Sequence, residues 1–289
     1  MLCGYEKAAA LLPEKLKAAA LAVNAGTRAQ AEEIRLRCGR EPTLLCAGAE
    51  KRFLPGETVS GDEIGYVLER ASRASMHAVK DELSRGFISA GGGVRVGVCG
   101  TAVFHGSMEG LRDISSLSLR IPSQIRGAGA EIMPQLLQHS VLIVSPPGGG
   151  KTTLLREMVR HAGDAGARVS LADERGEIAA VRGGVPQFDV GRCTAVLSLL
   201  PKAEAAEMLL RTMNPQIIAL DEIASARDAE TVIRLANCGV RIFATAHAAS
   251  ADELKKRRTF VPIMEQMVFD CAAVIENREG KRRYELVWL

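Results

Sequence analysis

The sequence predicts an α/β protein in two parts: a smaller α+β N-terminal domain over residues 1–125, then a domain over residues 126–289 with a parallel central sheet. Three observations carry this. From residue 141 on, short unbroken apolar runs alternate with amphipathic helical stretches, as buried parallel strands and crossover helices require. Before residue 122, apolar residues alternate with polar ones around glycine-rich turns, the mark of half-buried strands. Between the two, Pro122 through Gly129 has linker composition.

In the first part, residues 5–37 read mainly as helix with a break near Asn24 to Gly26, although Glu33-Ile-Arg-Leu-Arg37 alternates and reads equally as a first strand. Gly39-Arg-Glu-Pro42 is turn chemistry, followed by a short strand over 43–46. Residues 61–75 suit a helix with Ile64, Val67, Leu68 and Ala71 on one face, and a second helix covers 76–85. Residues 86–104 read as a hairpin turning at Gly91-Gly-Gly93, where glycine supplies positive φ. The same glycines lack GxGxxG spacing and no clear helix follows, so a turn is favoured over a phosphate site. Residues 115–121 give another alternating strand.

In the second part, strands are expected at 141–144, 169–172, 217–220, 240–244, 267–275 and 284–289, the last two around an Asn277 to Gly280 turn. Helices are expected at 152–163, 202–213 and 227–237.

Ser145-Pro-Pro-Gly-Gly-Gly-Lys-Thr-Thr153 sits between a buried strand and an amphipathic helix, the context of a Walker A phosphate loop. Ser145 stands where the GxxxxGK[ST] pattern has its first Gly, and Pro146 and Pro147 follow. Gly148, Gly149 and Gly150 let backbone N–H groups turn inward onto phosphate oxygens, and the helix N-terminus adds its positive dipole end. Lys151 would reach the β- and γ-phosphates of ATP, and the Thr152 hydroxyl would bind Mg²⁺, with Thr153 beside it.

Asp221-Glu222 follows four apolar residues and reads as Walker B. Asp221 would hold the Mg²⁺ shell and Glu222 would orient or deprotonate the attacking water. The Glu directly after the Asp favours the ATPase branch with an added central strand. Thr245 or His247, ending the next strand, would lie beside Asp221 and sense the γ-phosphate. Glu174, in Asp173-Glu-Arg175, is a candidate for the catalytic water network or a member of a salt-bridged loop. Arg192 and Arg211 are candidates to stabilise charge, in cis or from a neighbour, and read equally as surface arginines.

Composition narrows the alternatives. With 37 Lys+Arg against 34 Asp+Glu and 4% aromatics, the composition speaks against a nucleic-acid translocase, which needs a basic groove and stacking platforms. Its seven cysteines form no CxxC pair and no zinc spacing, as in a reducing cytosol. Glu6, Lys7, Glu14, Lys15 and Lys17 interrupt the N-terminal apolar runs, so neither a signal peptide nor a spanning helix of ~18 apolar residues is expected.

With these motifs in view, the chain resembles the stage III sporulation protein AA family of endospore-forming bacteria. The resemblance spans nearly the whole chain. It includes Glu33-Ile-Arg-Leu-Arg37, Gly92-Gly-Val-Arg-Val-Gly97, Ser118-Leu-Arg-Ile121, the loop through Arg156, Asp173-Glu-Arg-Gly-Glu-Ile178, Arg211-Thr-Met-Asn-Pro215 and Leu220-Asp-Glu-Ile223. Ser145 is ordinary for this family, whereas residues 194–200 are more apolar than its pattern. The resemblance implies a RecA-like P-loop ATPase domain related to those of secretion systems, assembled as a hexameric ring with ATP between subunits. It also implies a mother-cell cytoplasmic location, peripheral to the membrane through the stage III membrane protein AB and its channel complex. Two other readings compete with an ATP-hydrolysing motor: a nucleotide-switched scaffold and a nucleic-acid translocase.

Overall fold

The computed structural model describes residues 3–73, 80–105, 107–278 and 281–289. They form two compact units, residues 1–123 and 124–289.

The first unit opens with three short helices, α1 (Gly4–Ala9), α2 (Glu14–Ala22) and α3 (Ala25–Gln30), rather than one long one. Pro13 precedes α2 in an extended conformation, and the Asn24 side chain caps α3 by accepting from Thr27 N–H at 2.8 Å. The alternating segment is a strand, β1 (Ala31–Arg37), followed by β2 (Thr43–Cys46) and β3 (Ala49–Arg52). Helix α4 (Gly61–Ser72) starts at a reciprocal Ser60–Glu63 capping box and stops at Arg73 in the left-handed region. Of the second expected helix, α5 (Lys80–Ser84) is seen, and residues 76–79 lie outside the described residues. β4 (Phe87–Ser89) and β5 (Arg95–His105) make the expected hairpin around the three glycines. The strand expected at 115–121 is longer, β6 (Ser107–Arg120).

These strands build an antiparallel sheet in the order β3-β2-β1-β6-β5-β4. Ile34, Leu36, Val96, Val98, Leu117 and Leu119 face one side and pack against Leu12, Leu16, Ile64 and Val67 of the helical segments. The alternate residues of β1 carry charge. Arg35 and Arg37 both donate to Glu50, whose carboxyl is held down to about 2, chiefly by the Arg37 guanidinium and also by Thr43.

The second unit begins with α6 (Met133–Leu136). It continues as β7 (Val141–Ser145), α7 (Lys151–Asp164), β8 (Val169–Asp173), β9 (Thr194–Ser198), α8 (Lys202–Met213), β10 (Ile217–Glu222), α9 (Ala226–Asn237) and β11 (Arg241–His247). Two short helices, α10 (Ala251–Lys255) and α11 (Val261–Glu265), precede the closing hairpin of β12 (Cys271–Arg278) and β13 (Lys281–Trp288). The sheet order is β13-β12-β7-β11-β10-β8-β9, parallel except for β13. β11 lies between the strand that leads to the glycine loop and the strand that ends in Asp221-Glu222, so the added central strand is present.

Each face has its own core. Val141, Ile143 and Phe243 pack with Leu154, Leu155 and Met158 of α7. Leu142, Val144 and Ile242 pack with Leu209, Val232 and Leu235 of α8 and α9.

The expectations needed correction at three places. The apolar stretch after residue 193 is an edge strand, β9, half-buried along its length. Residues 251–265 contain helices that are too short for a 3.6-residue period to show. β12 starts at Cys271, because Met267 has φ 47 and ends the preceding turn. In the last expected turn, residues 279–280 lie outside the described residues.

Candidate functional site

β7 is fully buried, and its last residue, Ser145, delivers the chain into the glycine loop. Gly148 (φ 74) and Gly150 (φ 103) take backbone conformations that favour glycine. Gly149 is needed for a different reason: a Cβ there would stand 2.2 Å from Ser145 Oγ. The Ser145 hydroxyl, which donates to Pro146 O at 2.9 Å, fills the space that residue 149 vacates. Ser is accommodated at the first position of the motif because glycine faces it.

α7 then starts at Lys151 with Gly150 as its N-cap, so its first free N–H groups face the loop. Lys151 is only 7% exposed. Its ammonium donates to Ser145 O (3.1 Å), Pro146 O (3.3 Å) and His247 Nδ1 (2.8 Å). Burial pushes its pKa below the usual lysine value, against the opposing pull of Glu222 and Asp221.

His247 ends β11 and stands between the two motifs. Its Nε2 is 3.1 Å from Glu222 Oε2. An ammonium can only donate, so Nδ1 accepts and the ring proton sits on Nε2, directed at the carboxylate. Lys151, His247 and Glu222 are thereby joined in one chain. Asp221 and Thr245 complete the wall of a cleft of about 320 Å³, with Gly148, Thr152 and Thr153 on the loop side. Among the described residues no group of three His, Cys, Asp or Glu side chains gathers as a metal cage. A Mg²⁺ held with phosphate oxygens and water needs only one or two protein oxygens, and Thr152 and Asp221, which both line this cleft, offer them.

Glu174 is drawn elsewhere. It pairs with Lys202 at 3.1 Å, and Lys202 also donates to the backbone carbonyl of Glu222 at 2.6 Å. Glu174 therefore braces the end of β10 through Lys202. Its neighbours Arg175 and Glu177 line the cleft instead. Their turn is pinned by Asp173, which is fully buried and accepts from the N–H groups of Glu177, Ile178 and Ala179 at 3.0, 3.2 and 2.9 Å. Burial raises the Asp173 pKa, and the three backbone donors counter it. Arg156 secures the same turn, donating to Ile178 O and Glu177 O while its guanidinium lies 4.2 Å from the Phe188 ring centroid.

Arg192 and Arg211 are not brought to this chain's own cleft. Arg192 donates to Asp164 O at the C-terminal end of α7. That helix has 14 residues, so this end lies about 20 Å from the loop. Arg211 is exposed near the C-terminus of α8, about 13 Å along the helix from Lys202 at the cleft end. Arg175, Glu177, Lys202 and Arg282 were not singled out from sequence. For Arg175 and Glu177 the signal was present, since both follow a buried strand at its carboxyl end, where ligands of open α/β sheets gather.

Comparison with known proteins fits this geometry. The family described as sporulation stage III, protein AA matches residues 7–285. The chain belongs to that family. It is 33% identical over 281 residues to stage III sporulation protein AA of Bacillus subtilis (strain 168), covering 94% of this chain and 91% of the relative. Among solved structures, the fold is similar to that of the pilus retraction motor PilT with bound ADP. There the TM-score is 0.63 at 18% identity, over 89% of this chain and 79% of the other. It is also similar to that of the ATPase DotB of Legionella pneumophila, with TM-score 0.57 at 15% identity, over 89% and 76%. The fold class is therefore shared with these two proteins, a RecA-like P-loop fold preceded by a smaller α+β unit. Among the described residues, no helix is long and apolar enough to cross a membrane.

Proposed function

We propose that this family member binds ATP with Mg²⁺ and hydrolyses it to ADP and phosphate, as the motor of a sporulation channel complex between mother cell and forespore. The observation that carries the reading is the convergence of Lys151, Asp221, Glu222 and His247 on one cleft beside a glycine loop at a helix N-terminus.

The loop N–H groups and Lys151 would cradle the phosphates, while Thr152 and Asp221 would hold the metal. Bound Mg²⁺ would neutralise charge on the β- and γ-phosphates. Glu222 would orient a water and take its proton, and the contact with His247 supports this by holding the carboxylate in one orientation. We read residues 1–125 as an N-terminal domain and 126–289 as the ATPase domain. A homo-oligomeric ring, six-fold in this proposal, would bring charge-stabilising arginines such as Arg192 or Arg211 from a neighbouring subunit. The protein would work in the mother-cell cytoplasm, held at the membrane through the stage III membrane protein AB.

The test is phosphate release against ATP and Mg²⁺ at several protein concentrations. Wild-type turnover is expected to rise more than linearly with protein. Turnover should vanish in Lys151→Ala and fall at least ~10²-fold in Glu222→Gln. A folded protein that binds no nucleotide would overturn the reading. Nucleotide binding without turnover, even in the assembled complex, would replace the motor by a switch.

A further inference from the structure

Arg282 belongs to neither sequence motif, yet it stands against the glycine loop. β12 pairs in register with β7 as far as Val274 opposite Val144 and then runs on, while β7 ends at Ser145. Across the hairpin Arg282 pairs with Asn277, three positions past Val274. At about 3.3 Å per residue this lifts Arg282 roughly 10 Å beyond the level of Val144, where the loop turns over the sheet. Strand parity sets the face. Tyr284 and Leu286 pack into the core that holds α7, and Arg282 shares their side. Val287 packs into the opposite core, and Arg283 shares that one.

The guanidinium rests directly on Gly150. A Cβ at that residue would lie 2.9, 3.0 and 3.1 Å from its Cζ, Nε and Nη1. Arg282 lines the cleft with Lys151, Thr152 and Thr153, and its side chain forms neither hydrogen bond nor ion pair with a described residue. In a phosphate loop, glycine N–H groups cradle the α- and β-phosphates while the lysine reaches on to the γ-phosphate. A guanidinium over Gly150, the last glycine of the loop, faces the α/β end, and its planar fork suits two phosphate oxygens.

From this we infer that Arg282 is a further nucleotide-contact residue, gripping the α- and β-phosphates of a nucleoside di- or triphosphate in cis. The inference rests on the nucleotide reading above. It makes the closing hairpin part of the binding site, and it predicts a contact shared equally by ADP and ATP.

The experiment measures dissociation constants of Mg-ADP and of Mg-ATP, under non-turnover conditions, for the full chain and four variants. Arg282→Ala should weaken both nucleotides by a similar factor of about 10- to 100-fold, the worth of a charge-assisted hydrogen bond. Arg282→Lys, which keeps stem and charge but loses the fork, should fall between. Arg283→Ala removes the same charge from the opposite face and should change neither constant. Lys151→Ala serves as the loop-defective control, and thermal melting without nucleotide checks that each variant is folded. If the wild type binds no Mg-ADP, the nucleotide reading fails and this inference with it. If the wild type binds and folded Arg282→Ala binds equally well, this inference alone is overturned. An equal loss in Arg283→Ala, or a loss confined to ATP, also overturns it.

Discussion

Gly149→Ala adds one methyl group at a point where the loop has no room. The new Cβ would meet Ser145 Oγ at 2.2 Å, Ser145 Cβ at 2.8 Å and Pro146 O at 3.1 Å. Gly149 has no positive φ, so the conflict is steric rather than conformational. Non-bonded carbon contacts settle near about 3.5–4.0 Å, so loop and strand end must part by roughly 1 Å. Overpacking of this kind costs about 1–3 kcal/mol, and displacing a phosphate-binding group by that much costs about 10²-fold in rate. Ser145→Gly removes two of the three clashing atoms, so the double variant should recover most of the loss. The remaining Pro146 contact keeps it short of wild type. The assay is a four-protein cycle, with melting temperature and Mg-ADP affinity read on each. A coupling of about 0.5–3 kcal/mol between the two positions is expected. Additive effects, or wild-type affinity in Gly149→Ala, would refute the account of how serine is accommodated at the head of this motif.

Two further outcomes are expected. Glu50→Gln should destabilise the first unit by about 1–2 kcal/mol at neutral pH, after allowing for solvent screening of a partly exposed pair. Because the folded carboxyl titrates near 2 instead of 4.5, that difference should be complete above pH 4.5 and disappear as the pH falls towards 2 in acid-unfolding curves. A difference that persists at pH 2 would show that packing, not charge, is at stake. Asp173→Ala strands three backbone N–H groups in a buried turn. It should cost about 2–4 kcal/mol, lowering the melting temperature by several degrees, and should loosen the 174–178 turn in hydrogen exchange. Unchanged protection there would mean that Arg156 alone holds the turn.

How far the sequence was legible follows from the physics of each signal. The strand–loop–helix at 141–164 and the strand ending in Asp221-Glu222 announce themselves locally, because phosphate cradling and burial constrain neighbouring residues. β9 was missed because an edge strand of five half-buried residues has neither the apolar run of a buried strand nor a clean alternation. Arg282 is invisible without register, since its place depends on pairing with Asn277 and on β12 outrunning β7. Arg211 is the opposite case. A helix over 202–213 that returns the chain to a parallel strand at 217 must end at the amino edge of the sheet, away from where nucleotides gather. That topology was already implied by the reading that nominated the residue. Glu174 was placed on the correct edge but one turn position from the cleft wall, where Lys202, distant in sequence, takes it up.

The imidazole of His247 also sets a spacing. Lys151 at the start of α7 and Glu222 at the end of β10 carry opposite charges, and with nothing between them they would close into a direct ion pair. With each bound to a different nitrogen of one rigid ring, they are held a ring-width apart. An anion arriving in the cleft therefore displaces a neutral acceptor from Lys151, a far smaller loss than breaking a carboxylate contact. The carboxylate, tethered to the other ring nitrogen, does not follow the ammonium as it moves. The ring acts as a spacer that keeps the cation available and the base in place.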